Sequence, residues 1–270
     1  MWNRNYKIVK TITSVSFTKK FINIFISLNI VIIFLKFWEF ITISPLQKNV
    51  YDLFMYILND YFFVVYLLTF LVIILFYRFC PNNKVHEYFI LKYRNKIEWY
   101  FLNIFSIFFI TIIYAFGIVL LLILISVINL DFQNIWSEFA IEKYSLSIST
   151  LEYFSPLSIV IYNFILVYLY ILTLSLMIFC SYIIFQSTTM SLLLPILFTI
   201  FGVLTFLGKI SWLYPFSFTS HTLIDIVDFH EKGVIGSFVP SILYWIILIS
   251  TLIIIGFINI KKIDLNWSVK

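Results

Sequence analysis

Apolar residues in this chain gather in long runs, with polar residues confined to the gaps between them. A helix that crosses a hydrocarbon core needs about 20 mostly apolar residues. Six runs meet that need, at about 18–40, 61–79, 100–128, 158–185, 190–208 and 238–258. The fourth and fifth must be separated by argument, because no charged residue occurs from Tyr153 to Gly208, a stretch of 56 residues. One helix cannot use that length, and two with a tight turn can. The most polar point, Gln186-Ser187-Thr188-Thr189, is the place for the turn. Pro195 then falls in the first turns of the fifth helix, where proline costs least.

The gaps have characters of their own. Residues 1–17 are basic and place Ile8, Ile12 and Val15 at helical spacing, which predicts a short amphipathic helix lying on an anionic membrane surface. Residues 80–98 form a loop between the second and third runs. The connection at about 129–157 is acidic and polar, without a motif. Residues 209–237 mix Pro215, His221, Asp225, Asp228, His230 and Glu231 with Trp212, Leu213, Phe216, Phe218, Leu223, Ile224 and Val227. That mixture predicts short helices dipping into the membrane interface. Residues 259–270 are a basic tail.

Composition excludes a soluble domain. Hydrophobic residues make up 62% of the chain and charged residues 11%, where about 25% charge is usual. The mean hydropathy is +1.03. A soluble protein of this size lacks the interior to hide so much apolar surface. The fold class is therefore all-α: a polytopic membrane protein of six transmembrane helices (residues 18–258) behind the interfacial segment 1–17. The first run lacks a small-residue cleavage pattern and reads as a retained helix. Cys80 and Cys180 fall in or beside apolar segments and read as free thiols.

Charge sets the orientation. With the N-terminus in the cytoplasm, 13 of the 18 basic residues lie inside and five, Lys36, Lys48, Lys143, Lys209 and Lys232, lie outside. An even number of spans also puts the second basic terminus in the cytoplasm.

Chemistry is scarce. The nearest approach to a phosphate-binding loop is Gly202…Gly208-Lys209, which has the wrong spacing and is followed by Ile210. His221 and Asp225, four apart and near Asp228, His230 and Glu231, are the one weak candidate for a metal; a wet acidic loop explains them better. All three histidines lie outside the predicted spans, which leaves intramembrane hydrolysis without a base. The interiors of the second to sixth runs carry no charge, against proton- or ion-coupled transport. Lys36 and Glu39, three apart near the end of the first run, read as a pair at the membrane border. The aromatic content of 21% reflects membrane-border belts and compositional bias.

The layout resembles the ABC-2 type permease family, the membrane half of ATP-driven exporters. A basic amphipathic N-terminal segment, two helices, a cytoplasmic loop, four helices and a partly apolar outer segment between the last two follow in order. The most specific stretch is 84–106, KVHEYFILKYRNKIEWYFLNIFS, with Glu87, then the apolar Phe89 to Leu91, the basic Lys92 to Lys96, and Trp99 leading into the third helix. The resemblance covers the whole chain in architecture and is weak in residues. It implies a bacterial cell membrane, no cofactor in this chain, and ATP and Mg bound by a separate cytoplasmic ABC ATPase. It further implies a second permease copy or homologue and an apolar or amphipathic substrate, with peptide export or lantibiotic immunity as the nearest sub-group. The 80–98 loop would couple the two chains through Val85, Glu87, Tyr88, Phe89, Leu91, Arg94 and Lys96, its apolar face pressing into the ATPase. A plain basic loop is the competing reading. A non-transporting immunity or scaffold protein and a membrane enzyme with an unrecognised site also stay open. Nothing points to nucleic acid.

Overall fold

A computed structural model describes residues 18–77, 95–127, 129–144, 154–223 and 226–260, and only the backbone of 226–237. All regular elements among them are helical, apart from one bridge between Asn49 and Asp131. Side-chain caps set most boundaries. Thr18 accepts from the Phe21 amide and starts α1, Lys19–Thr42. Asn49 and Asp52 form a reciprocal capping box at α2, Val50–Leu58. A π-helical stretch, Phe62–Leu68, leads into α3, Thr69–Tyr77. Asn95 caps α4, Lys96–Ser126, and Ser137 caps α5, Glu138–Lys143. Ser155, followed by Pro156 in the first turn, starts α6, Pro156–Phe185. That helix ends at Gln186, whose left-handed backbone (φ 50°) makes the predicted turn. Met190–Leu192 is a 3-10 turn before α7, Leu193–Phe206. A second 3-10 turn, Ser211–Phe216, precedes α8, Phe218–Thr222, and α9 runs Ile226–Asn259.

Four of these helices are long and apolar enough to cross a bilayer: α1, α4, α6 and the Phe238–Asn259 part of α9. The bent pair α2 and Phe62–Tyr77, angled by 62°, is a fifth candidate. This is the pattern of an all-helical, multi-pass membrane protein. The run predicted at 190–208 corresponds to the shorter apolar helix Met190–Phe206.

Three features depart from the sequence-based expectation. Helix α2 sits in the gap between the first two predicted runs, to which the sequence pattern assigned no element, and is buried along all but one of its residues. Helix α5 lies in the connection read as polar, and it buries Phe139 and Ala140. Helix α9 begins twelve residues before the predicted sixth run. A nine-residue helix is too short to register as a span, and α5 offers only two apolar anchors.

Helix α6 is the hub. Over an apolar stretch of 18 residues it is 78% buried, against 22% in α1 and 22% in Phe238–Asn259. It runs parallel to α9: Tyr162 meets Phe238, Tyr170 meets Trp245, and the Cys180 thiol reaches the Leu252 carbonyl. Charges mark the depth of the bundle. Lys20 and Lys36 stand sixteen residues apart on α1, about 24 Å at 1.5 Å per residue. That is close to the ~30 Å thickness of a hydrocarbon core. Tyr170, halfway along α6, lies near mid-depth, where its hydroxyl bonds Thr69 of α3.

Candidate functional site

Tyr170 is completely buried and anchors an aromatic layer built from α6, α7, α8 and α9. Phe218 of α8 stacks on it with centroids 4.9 Å apart and planes 13° from parallel. Phe198 of α7 also stacks on Phe218 at 4.9 Å, and Trp245 of α9 closes on Tyr170 at 5.9 Å. Nearer the Asp60 end, Tyr61 and Phe206 stack at 3.8 Å. Beside them lies the π-helical stretch, a rare geometry that recurs at functional sites.

The connection between α7 and α9 reaches this layer by folding back on itself. Gly208 takes a positive φ of 72°, which a glycine permits without strain. The chain then returns, and Ser217 joins Thr205 at 2.7 Å and Thr219 at 2.8 Å through hydroxyls. Phe218 comes so close to α7 that a Cβ on Gly202 would stand 1.9 Å from its ring. His221 is held on three sides. Its Nε2 lies 2.8 Å from the Pro215 carbonyl and so carries the proton; its Nδ1 lies 3.3 Å from the Ser241 hydroxyl. Its ring stacks on Tyr244 at 4.1 Å. Through Phe218 the connection thus reaches the middle of α6. Asn163, two turns from Tyr170 on the same face of α6, is fully buried, and its amide meets no partner among the described residues.

A charged cap closes the Asp60 end. The Lys36 ammonium meets Glu39 at 2.9 Å and Asp60 at 3.0 Å. Tyr56 donates to Glu39 at 2.7 Å, and Lys143 of α5 sits 3.9 Å over the Tyr56 ring. Lys48 donates to the carbonyls of Phe40, Ile41 and Ser44, neutralising the C-terminus of α1. Asn49 donates to the Ile135 carbonyl at 2.7 Å, which ties α2 to the α4–α5 connection. Burial pulls the Lys48 ammonium below the ordinary lysine range, opposed by the charge of Asp52. Burial does the same to Lys143, opposed by Asp60 and Glu39.

No protein-family profile matches the chain, and no solved structure does either. Over 223 residues the chain is 32% identical to the uncharacterized protein BH0177 of Halalkalibacterium halodurans, across 81% of this chain and 80% of that one. The chain belongs to the family of BH0177.

Of the residues expected to couple to an ATPase, Val85, Glu87, Tyr88, Phe89, Leu91 and Arg94 lie outside the described residues. Lys96 is described and opens α4. The N-terminal segment 1–17 and the tail from residue 261 are also outside them. Of the candidate metal group, Asp225 is outside, and the side chains of Asp228, His230 and Glu231 are not described. Among the described residues no three His, Cys, Asp or Glu gather as metal ligands. Sequence reasoning found the Lys36–Glu39 pair and missed the Tyr170 layer. Its members are spread over four helices, and their ring types are too common in this chain to stand out.

Chemically, the mid-depth layer offers ring faces and neutral hydroxyls. Tyr170, Phe218 and Trp245 are fully buried against one another, so the layer is closed packing that holds α8 and α9 against α6.

Proposed function

We propose that the chain is the permease subunit of an ATP-driven exporter of the ABC-2 type, with a separate ATPase chain supplying the power. It would move an apolar or amphipathic substrate, a peptide being the best fit, out of the cell or the membrane. In this reading the bent pair counts as one span and Met190–Phe206 as another, giving six spans with both termini in the cytoplasm. The 13-to-5 division of basic residues supports that orientation.

The observation that carries the reading is the folded-back connection between the last two helices. Phe218 inserts between Tyr170 and Phe198 at mid-depth. On this reading the segment, seated by stacked rings and three linked hydroxyls, shifts between two packings as the bundle rocks. The scarcity of charge inside the predicted spans supports an apolar substrate, and on this reading the energy for transport comes from a partner.

The test is co-expression with an ABC ATPase encoded beside the gene, followed by pull-down and export assays. Phe89→Asp would place a charge in the docking face, which is costly to bury. The variant is expected to insert normally and to lose the ATPase. Glu87→Ala should uncouple hydrolysis from export more than it weakens assembly. Full ATPase binding and export by Phe89→Asp would remove the coupling role from this loop.

A further inference from the structure

A cavity of about 480 Å³ lies between α1 and α4, with Leu75 of α3 contributing to its wall. Its lining follows α1 from Phe21 to Asn29 and α4 from Phe109 to Leu121. Those stretches measure about 12 Å and about 18 Å along their helix axes, so the space is elongated. All lining side chains are apolar except Asn29 and Tyr114, and these two satisfy each other. The Tyr114 hydroxyl donates to Asn29 Oδ1 at 3.1 Å, and Asn29 Nδ2 donates to the Phe25 carbonyl at 2.8 Å. Water there would find too few of the two to four polar partners it needs. Ile22, Ile26, Phe109, Ile113 and Leu120 on its rim are exposed, so the cavity opens toward the bilayer rather than into the bundle.

Gly117 supplies an independent observation. No atom lies within 4 Å of the place its Cβ would occupy. Alanine is the better helix former, and no neighbour packs close enough to demand glycine. What the missing side chain does is keep this wall of the cavity open. At the α1 end, Lys19 and Lys20 are exposed immediately before Phe21.

We propose that the cavity holds one acyl chain of an anionic phospholipid, whose phosphate is met by Lys19 and Lys20. The shape suits a chain rather than a compact ligand. The lateral opening admits it from the bilayer, and the two exposed lysines precede Phe21 at the end of α1 that borders the cavity. The proposal does not rest on the exporter reading.

The test uses the intact protein in phosphatidylcholine nanodiscs doped with phosphatidylglycerol carrying a diazirine on its acyl chain, compared with the same probe built on phosphatidylcholine. Crosslinks should concentrate on peptides containing Phe21–Asn29 and Phe109–Leu121. The phosphatidylglycerol probe should be favoured by about one order of magnitude, given two lysines at the headgroup level. The paired substitution Lys19→Gln and Lys20→Gln should abolish that preference without changing the fold. Gly117→Trp should fill the space and displace the label, with Gly117→Leu in its place if the tryptophan variant does not fold. Equal labelling by both probes, or labelling that ignores the Gly117 variants, would overturn the proposal. So would efficient disulfide capture of two copies through Ile26→Cys and Ile113→Cys, which would give the cavity to a second copy of this chain.

Discussion

Lys36 and Asp60 meet at 3.0 Å although 24 positions separate them in the chain. The contact fixes the end of α1 to the start of the π-helical stretch, where Asp60 Oδ1 also accepts from the Phe63 amide. Both side chains are mostly buried, at 11% and 20% exposure, whereas that of Glu39 is 50% exposed.

The two halves of this pairing should therefore respond differently to substitution. Lys36→Met leaves Asp60 with a poorly compensated charge and is expected to cost about 2 kcal/mol. Glu39→Gln keeps a hydrogen-bond acceptor in a half-exposed site and should cost less than about 1 kcal/mol. Thermal unfolding of the purified protein in one detergent measures both. Equal costs would mean that the Asp60 contact adds nothing beyond the local helix pair.

Gly202 and Gly117 make a second contrast. Gly202→Ala drives a methyl group into the Phe218 ring and should destabilise by about 1–3 kcal/mol, the range for overpacking a filled core. Gly117→Ala meets open space and should stabilise by about 0.5–1 kcal/mol through helix propensity. The Gly202 variant should also raise the reactivity of a cysteine placed at Ser220, because α8 is no longer held down. An unchanged melting temperature for Gly202→Ala would show that α8 is not seated on α7.

Orientation can be checked with single cysteines in a background lacking Cys80 and Cys180. Gln133→Cys, on the exposed α4–α5 connection, should react with an impermeant thiol reagent in intact cells. Lys84→Cys should react only after permeabilisation. The reverse pattern would turn the bundle over and remove the 80–98 loop from the cytoplasm.

What was legible in the sequence follows the range of the forces involved. Long apolar runs and a neutral stretch of 56 residues report a local free energy of transfer, and these located the four long apolar helices and the turn at Gln186. The Lys36–Glu39 pair was legible because three residues along a helix form a fixed geometry. Asp60 was not, because it joins that pair only through the 62° bend between α2 and the helix that follows. The Tyr170 layer was hidden for a related reason. In a chain with 32 phenylalanines and 18 tyrosines, no pattern marks the few rings that converge. Phe218 reaches Tyr170 only because Gly202 leaves room for it.

The burial of α6 has a consequence for how the protein comes into being. Synthesis proceeds from the N-terminus, so α6 enters the bilayer before α7, α8 and α9 exist. In the finished bundle it buries Asn163, Tyr170, Thr173, Ser175 and Ser181. Part of that cover, including Phe218 and Trp245, comes from helices made later. A nascent chain that has reached only Thr189 therefore holds its future centre partly against lipid or the insertion machinery. Its most buried helix is sheltered last, and the last two helices act as the lid that completes the core.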